Sequence, residues 1–248
     1  MILSTNVIAQ LAAIPSGVYH LADMPITKSA DRESRRFMEG STFELSFLEI
    51  HATTQYKNAL PKPSHTQTDV EELLYVKEGK MKFTGGSQTQ VLGRGSILLI
   101  PPQQPQDIIQ NVGEGPLTYY VIMFRSKLPM DVERSAKAGG LLLLNADSLT
   151  YKPSVLGGGI KYIKRPTAMF NELEMHVTEL KGKGPSHTPH THIDTELTLV
   201  LEGQTEMVIN GKIYHGSAGD IYLMNSNELH GISNPTDAPC KYLAIRWK

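Results

Sequence analysis

The 248-residue chain has one cysteine, Cys240, so it can form neither an internal disulfide nor a cysteine-only zinc site. Cys240 sits in a strand-like apolar run, where a buried packing role is expected. Net charge is nearly absent as well, with 24 Lys and Arg against 25 Asp and Glu. Such a balance gives no field to gather nucleic acid or anionic lipid, and neither is expected as a partner. No apolar run approaches the roughly 18 residues of a membrane span. Helical periodicity is scarce, which leaves no amphipathic helix pair for DNA binding and argues against a transcription factor. At 40% hydrophobic and 20% charged residues, the chain is nevertheless rich enough in apolar side chains to exclude disorder.

The N-terminus allows two readings. Val7-Ile8-Ala9-Gln10 has the small-residue pattern of a signal-peptidase site, yet Met1 to Ile8 carry no positive charge and too short an apolar core. The segment is either an N-terminal arm of a cytoplasmic protein or the tail of a leader whose start is missing, implying export.

An internal repeat organises the rest. Pro63-Ser64-His65-Thr66 recurs as Pro185-Ser186-His187-Thr188. Glu72 to Gly79 matches Glu196 to Gly203 at an offset of 124, and sixteen residues on stands Gly95 or Gly219. Each copy closes on an aromatic-rich run, Tyr119 to Phe124 and Tyr242 to Trp247. A duplicated unit is the simplest account. Short runs of Val, Ile, Leu, Tyr and Phe between Gly, Pro, Asn and Asp make each unit all-β, a sandwich or barrel. Asn210-Gly211 marks a tight hairpin between Met207 and Tyr214, with Gly85-Gly86 in the corresponding place. The expected division is an arm over 1–34, one barrel over 35–125, a linker over 126–165 and a second barrel over 166–248. Within the linker a short helix is expected in Met130 to Gly140, and Gly157-Gly158-Gly159 reads as flexible connecting chain.

The densest chemistry lies in Gly184-Pro-Ser-His187-Thr-Pro-His190-Thr-His192-Ile-Asp-Thr-Glu196, ending at Gly203, with a third imidazole in Asn225-Ser-Asn-Glu-Leu-His230. On a strand, residues two apart share a face, so His190, His192 and Glu196 project together. These segments resemble the two motifs of the cupin family. The first matches at every named position; the second departs at Asn225, where Pro is usual, and at Asn227, where Gly is usual. The resemblance implies two double-stranded β-helix barrels, a bicupin, with a metal held by His190, His192, Glu196 and His230. Three imidazoles and a carboxylate suit Mn, Fe, Co, Ni, Cu or Zn better than Mg or Ca. Four protein ligands leave coordination positions open, as a catalytic metal requires.

The first copy is degraded. Aligned by its shared glycine, it places Thr66, Thr68 and Gln106 against the three histidines. The family's alternative spacing gives His65, Gln67, Glu72 and Gln106, a weak second metal site at best; a vacant or structural barrel is the stronger expectation. His187, Tyr222 and Arg246 are candidates to face a substrate, and Glu228 could touch it or only pack. No residue makes an obvious acid/base pair, so the catalytic residues are left unassigned. Arg246 shares strand parity with Tyr242 and Ala244, but parity does not say which face is the cavity. An arginine beside a metal would suggest a carboxylate-bearing ligand.

Two functions are consistent with the resemblance. One is a metal-dependent enzyme on a small polar, oxygen-rich substrate, of the dioxygenase, isomerase or aminohydrolase type. The other is a non-catalytic small-ligand or sugar-binding protein. A homodimer is the default oligomer.

Overall fold

A computed structural model describes residues 11–248; the signal-peptidase-like Val7 to Gln10 lie outside them. The chain is almost wholly antiparallel β-structure, arranged as two jelly-roll barrels set back to back.

Each barrel has one seven-stranded sheet, faced by a three-stranded and a two-stranded sheet in the N-terminal barrel and by a four-stranded sheet in the C-terminal one. In the N-terminal barrel the large sheet runs Leu142–Leu144, Ile97–Ile100, Glu71–Glu78, Leu117–Ser126, Leu45–Gln55, Arg32–Gly40, Ile26–Lys28. Its C-terminal counterpart runs Gly17–Tyr19, Ile221–Met224, Glu196–Glu202, Cys240–Trp247, Leu173–Leu180, Gly157–Arg165, Tyr151–Pro153. Across the second barrel lies a four-stranded sheet that includes Gln204–Ile209, Lys212–Ser217 and His230–Asn234. The Asn-Gly hairpin forms as expected, with both turn residues at positive φ, 49° at Asn210 and 82° at Gly211.

Strand alternation divides the apolar residues among three cores. Leu48, Ile50, Leu73, Ile122 and Phe124 on one large sheet meet Met175, Leu197, Leu243, Ile245 and Trp247 on the other, forming a continuous core between the barrels. Phe124 and Trp247 join across it edge to face, centroids 5.7 Å apart. The residues in between point the opposite way and fill each barrel, with Leu74, Val76, Phe83 and Tyr119 in the first. Val200, Met207, Tyr222, Cys240 and Tyr242 fill the second. Burying one such side chain contributes ~1.5–3 kcal/mol, so the shared core fixes which face of every strand becomes cavity. Arg246 lies between two core residues, Ile245 and Trp247, and is therefore turned into its own barrel.

The sheets extend past the limits expected from sequence. Gly17–Tyr19 of the arm pairs with Ile221–Met224 of the distant barrel, while Leu142–Leu144 of the linker pairs with Ile97–Ile100 of the first. Both edge strands of each large sheet thus lie outside the expected bounds, Ile26–Lys28 and Leu142–Leu144 in the first and Gly17–Tyr19 and Tyr151–Pro153 in the second. The helix in the linker is present, Val132–Lys137, capped by Asp131, whose side chain accepts from the Arg134 N–H. The triple glycine corrects the expectation of flexible chain. Gly157, Gly158 and Gly159 begin the strand Gly157–Arg165 and pair with Leu180, Glu179 and Thr178. A Cβ at Gly157 would stand 2.0 Å from the Glu179 carbonyl oxygen, so glycine here serves close strand approach.

Candidate metal centre

Two segments bring the C-terminal imidazoles together. Backbone bonds His190 N–His230 O (2.9 Å) and His230 N–His190 O (3.0 Å) lock the first motif onto the second. The ring centroids of His190, His192 and His230 lie 4.8–5.3 Å apart. Their candidate ligand atoms all fall within 4.8 Å of one another, the one such group among the described residues. Glu196 closes the set, its Oε2 standing 3.1 Å from His192 Nε2 and 3.7 Å from His230 Nε2.

The tautomers are fixed from behind. Nδ1 of His192 lies 2.8 Å from the Asp194 carbonyl, and Nδ1 of His230 lies 2.8 Å from that of Glu228. A carbonyl only accepts, so each Nδ1 carries its proton and each Nε2 turns a lone pair toward the centre. Two lone pairs and a carboxylate facing one point repel unless a proton or a metal cation lies between them. The buried His230 Nε2 has no hydrogen-bond partner, an expensive state for a polar atom. A divalent transition metal resolves both, and the residues present fit one.

Where a proton and not a metal lies between these groups, the imidazole N–H faces the carboxylate, and the titration of the groups reflects that pull for positive charge. Burial pushes the Glu196 carboxyl upward, but His192 and His230 outweigh it and hold it well below the usual carboxylate range. His190 is pulled down by burial and by the neighbouring His230, His187 and His192, which favours the neutral ligand form. Burial also lowers His230, but its contacts with Glu196 and the Glu228 carbonyl leave it raised on balance.

Both departures from the family motif have structural uses. Asn227 takes φ 62°, the left-handed conformation for which glycine is usual, and its N–H donates to the His192 carbonyl at 2.7 Å. Asn225 binds the N-terminal arm, donating from Nδ2 to the Ile14 carbonyl (2.9 Å) and to Ser16 Oγ (2.8 Å).

Of the other candidates, Arg246 faces the cavity one strand from Glu196, directly opposite it in register, with Nη2 2.6 Å from Asp194. His187 is exposed at the rim, its ring edge-on to His190 at 4.7 Å. Tyr222 is not brought to the site. It is fully buried in the barrel core with its hydroxyl tied to Thr205. Glu228 accepts from the Asn225 N–H at 3.1 Å and so shapes the turn. His176, which sequence reasoning passed over, faces the same cavity. It lies opposite Ala244, and burial lowers its pKa against the pull of Glu196 and Glu174. Its signal was an imidazole on the cavity parity of a strand that precedes the motifs.

The N-terminal barrel settles its own alignment. Gln106 pairs with His65, as His230 does with His190, and Gln67 reaches Glu72 as His192 reaches Glu196. Glu72 is 4% exposed and accepts amide N–H bonds from Gln67 (2.7 Å) and Gln106 (2.9 Å). Two neutral donors stand where the other barrel has two imidazoles, and the His65 side chain lies exposed outside.

The chain matches the family model described as "Cupin domain" over residues 56–123 and 176–246. It is 36% identical over 78 residues to the pectin degradation protein KdgF of Dickeya dadantii, covering 31% of this chain and 68% of that one. Among solved structures it resembles the protein Ylba of E. coli, with a TM-score of 0.72 at 16% identity, covering 97% of this chain and 95% of that one. It also resembles the Mn(II)-containing oxalate decarboxylase of Bacillus subtilis, with a TM-score of 0.67 at 14% identity, covering 95% and 78%. At those identities the structures bear on the fold alone.

Proposed function

The chain belongs to the cupin family, and we propose that it is a metal-dependent enzyme acting on a small, carboxylate-bearing, oxygen-rich substrate. His190, His192, Glu196 and His230 are the ligands in this reading. The observation that carries it is the convergence of imidazole lone pairs and a carboxylate on one point, with Arg246 held beside them.

When bound, the metal supplies Lewis acidity to a substrate oxygen in its open coordination positions. The protein's part is to deliver that oxygen. Arg246 is anchored by Asp194, and a guanidinium so held presents a planar donor fork suited to a carboxylate. Its Nε is buried without a partner, so it has donor capacity left for a ligand. His176, held toward its neutral form, can accept or pass a proton at the cavity wall. His187 lies at the entrance, where it screens His190 from solvent on one side.

The curated relative is a pectin degradation protein, and pectin is an oxygen-rich polymer, which agrees with an oxygen-rich substrate. Dioxygenase, isomerase and aminohydrolase chemistry all use such a pairing of metal and anchored substrate, and they separate on the metal retained and on oxygen. Metal analysis of the natively purified protein, followed by oxygen-uptake screening against small carboxylates, tests the assignment. Iron with oxygen consumption selects a dioxygenase; manganese or zinc without it selects an isomerase, lyase or aminohydrolase. A protein that retains no divalent metal overturns the reading.

A further inference from the structure

A second repeat lies outside the metal motifs. Leu48-Glu49-Ile50-His51-Ala52-Thr53 reads against Leu173-Glu174-Met175-His176-Val177-Thr178, and the two segments occupy the same place in their barrels. In each, a cation on the neighbouring strand stands directly opposite the histidine, Arg36 for His51 and Lys161 for His176. Each strand bulges immediately after that cation, between Arg36 and Met38 and between Lys161 and Ile163. Bulges of this kind re-aim side chains and occur beside functional sites. The intervening Leu and Ile or Met enter the core between barrels, so Glu, His and Thr face the cavity.

The N-terminal barrel has two glutamines in place of metal-ligand histidines and leaves His65 outside, yet it keeps this shelf. A feature kept where the metal set is lost has a use that does not need the metal. The register shows the separation. The row Glu196–Arg246–Glu174 links the C-terminal shelf to its metal centre, whereas the equivalent row is Glu72–Met123–Glu49. Met123 interrupts the polar path, and Glu72 is closed off by its two amides.

What remains is a cavity of about 840 Å³, within the ordinary range for small-molecule sites. Four cations line it, Lys28, Arg32, Arg36 and Lys62, against two carboxylates, Glu39 and Glu49. Not all are available. Arg32 is committed to Asp31 at 2.9 Å, and Lys28 faces Glu33 at 3.6 Å. Glu49 is buried and holds Arg36 (3.3 Å) and His51 Nδ1 (2.9 Å), leaving His51 Nε2 for a ligand. Glu39 holds Arg36 Nη1 at 2.7 Å. The Arg36 side chain is still 63% exposed, and Lys62 stands exposed at the rim. Phe47 provides an apolar wall.

We propose that this cavity is a metal-independent binding site for a small hydroxylated carboxylate of sugar-acid size. Arg36 and Lys62 take the carboxylate, while His51 and Glu39 take hydroxyls. A neutral sugar leaves Lys62, the one lining cation without an acidic partner among the described residues, unanswered. A bare dicarboxylate sets an anion against Glu39 and underfills the space.

Calorimetric titration of the full chain with D-glucuronate, against D-glucose as the carboxylate-free control, tests this. Saturable glucuronate binding is expected to survive removal of metal by chelation, with glucose at least tenfold weaker. Arg36→Gln and Lys62→Gln are each expected to weaken that site about tenfold. Lys62→Gln, at an exposed side chain, should leave the melting temperature unchanged, whereas Arg36→Gln should lower it, because buried Glu49 is left with His51 alone. Lys161→Gln, in the other barrel, is expected to leave it unchanged. In the metal-loaded chain the same two variants remove one binding event, so the result does not hinge on the chelated protein remaining folded. Absence of saturable binding, equal binding of glucose, or indifference to both Arg36→Gln and Lys62→Gln overturns the proposal. None of these outcomes bears on the metal centre, which is tested separately.

Discussion

Removing the side chain of Glu44 should weaken metal binding in the opposite barrel. Glu44 belongs to the N-terminal repeat, yet its carboxylate accepts the Thr195 backbone N–H at 2.7 Å and the Thr195 hydroxyl as well. Thr195 is fully buried, immediately precedes Glu196, and also meets Thr42 at 3.2 Å. The loop from His192 to Glu196 is therefore pinned at three points, by Glu44, by Arg246 on Asp194, and by Asn227 on the His192 carbonyl. Each hydrogen bond to the charged carboxylate contributes ~1.5–3 kcal/mol. Glu44→Gln keeps one acceptor and should lose about one such bond; Glu44→Ala loses both and leaves the buried Thr195 donors unmet. Changes to groups that orient metal ligands typically cost about 10–100-fold in metal affinity. Glu44→Gln is placed near the lower end and Glu44→Ala near the upper. Competition against a chromophoric chelator measures the affinity, and a thermal melt of the chelated protein separates it from general destabilisation. Loss of both bonds, ~3–6 kcal/mol, lowers the melting temperature by about 6–24 °C in a chain of this size. If Glu44→Ala lowers the melt by that amount while metal affinity stays within twofold, Glu44 merely staples the barrels together and does not position the ligand loop.

Other outcomes follow from the same geometry. His190→Ala with His192→Ala removes two of four donors and should abolish metal retention, measured by elemental analysis, with the β-sheet circular dichroism preserved; outright unfolding would make the metal a structural staple. Gln67→His with Gln106→His should raise the metal content from one to two ions per chain, because the His65 backbone already pairs with residue 106 as His190 does with His230; unchanged stoichiometry would show that the exposed His65 side chain cannot turn inward. Glu71 is buried between the barrels, where desolvation raises its pKa to about 7. Its stabilising contribution is complete below the unfolded carboxylate value and is lost as pH rises through about 7, so wild-type stability should fall by up to ~3 kcal/mol between pH 5 and 8. Glu71→Gln should flatten that slope in melts taken across the range, and an unchanged slope would place the titration elsewhere.

The clustering of His190, His192, Glu196 and His230 was legible because its signal is local, four donors at fixed spacings on two short segments. The strand parity expected to align three of them does not apply, since His190 and His192 precede the strand Glu196–Glu202 in irregular chain. The Asn-Gly hairpin was legible for the same reason, since a two-residue turn at positive φ dictates its own geometry. Three features depended on partners distant in sequence. Parity placed Arg246 with Tyr242 but could not name the cavity side; that followed only from Trp247 meeting Phe124 across the core between barrels. Gly157 to Gly159 carried the composition of a linker, and only the closeness of the Glu179 carbonyl to Gly157, of Tyr151 to Gly158 and of the Val177 carbonyl to Gly159 explains glycine in a strand. The two spacings of the degraded motif differed by one residue, which on a strand exchanges the faces. The His65–Gln106 pairing decides between them. The Glu-x-His-x-Thr repeat was visible in the letters but lies ahead of the metal motifs, where nothing local marked it as more than a strand.

The two barrels meet one physical problem in different ways. Each buries a glutamate at the same place, and a buried carboxylate needs donors or a cation. In the C-terminal barrel the surrounding groups are imidazoles whose protons are directed outward by the Asp194 and Glu228 carbonyls, so the centre is short of positive charge until a cation arrives. In the N-terminal barrel Gln67 and Gln106 supply amide protons directly, and the glutamate is satisfied without one. The substitution is imperfect, because Gln106 Oε1 is left buried and without a partner. That barrel can therefore fold around a closed polar network and offer a rigid back to its neighbour, with Glu44 reaching from it into the ligand loop. A metal-loaded barrel in that position would couple the shape of one metal loop to the occupancy of another site. Glu44 thus reaches Thr195 from a barrel whose own buried glutamate is met by amides and needs no cation.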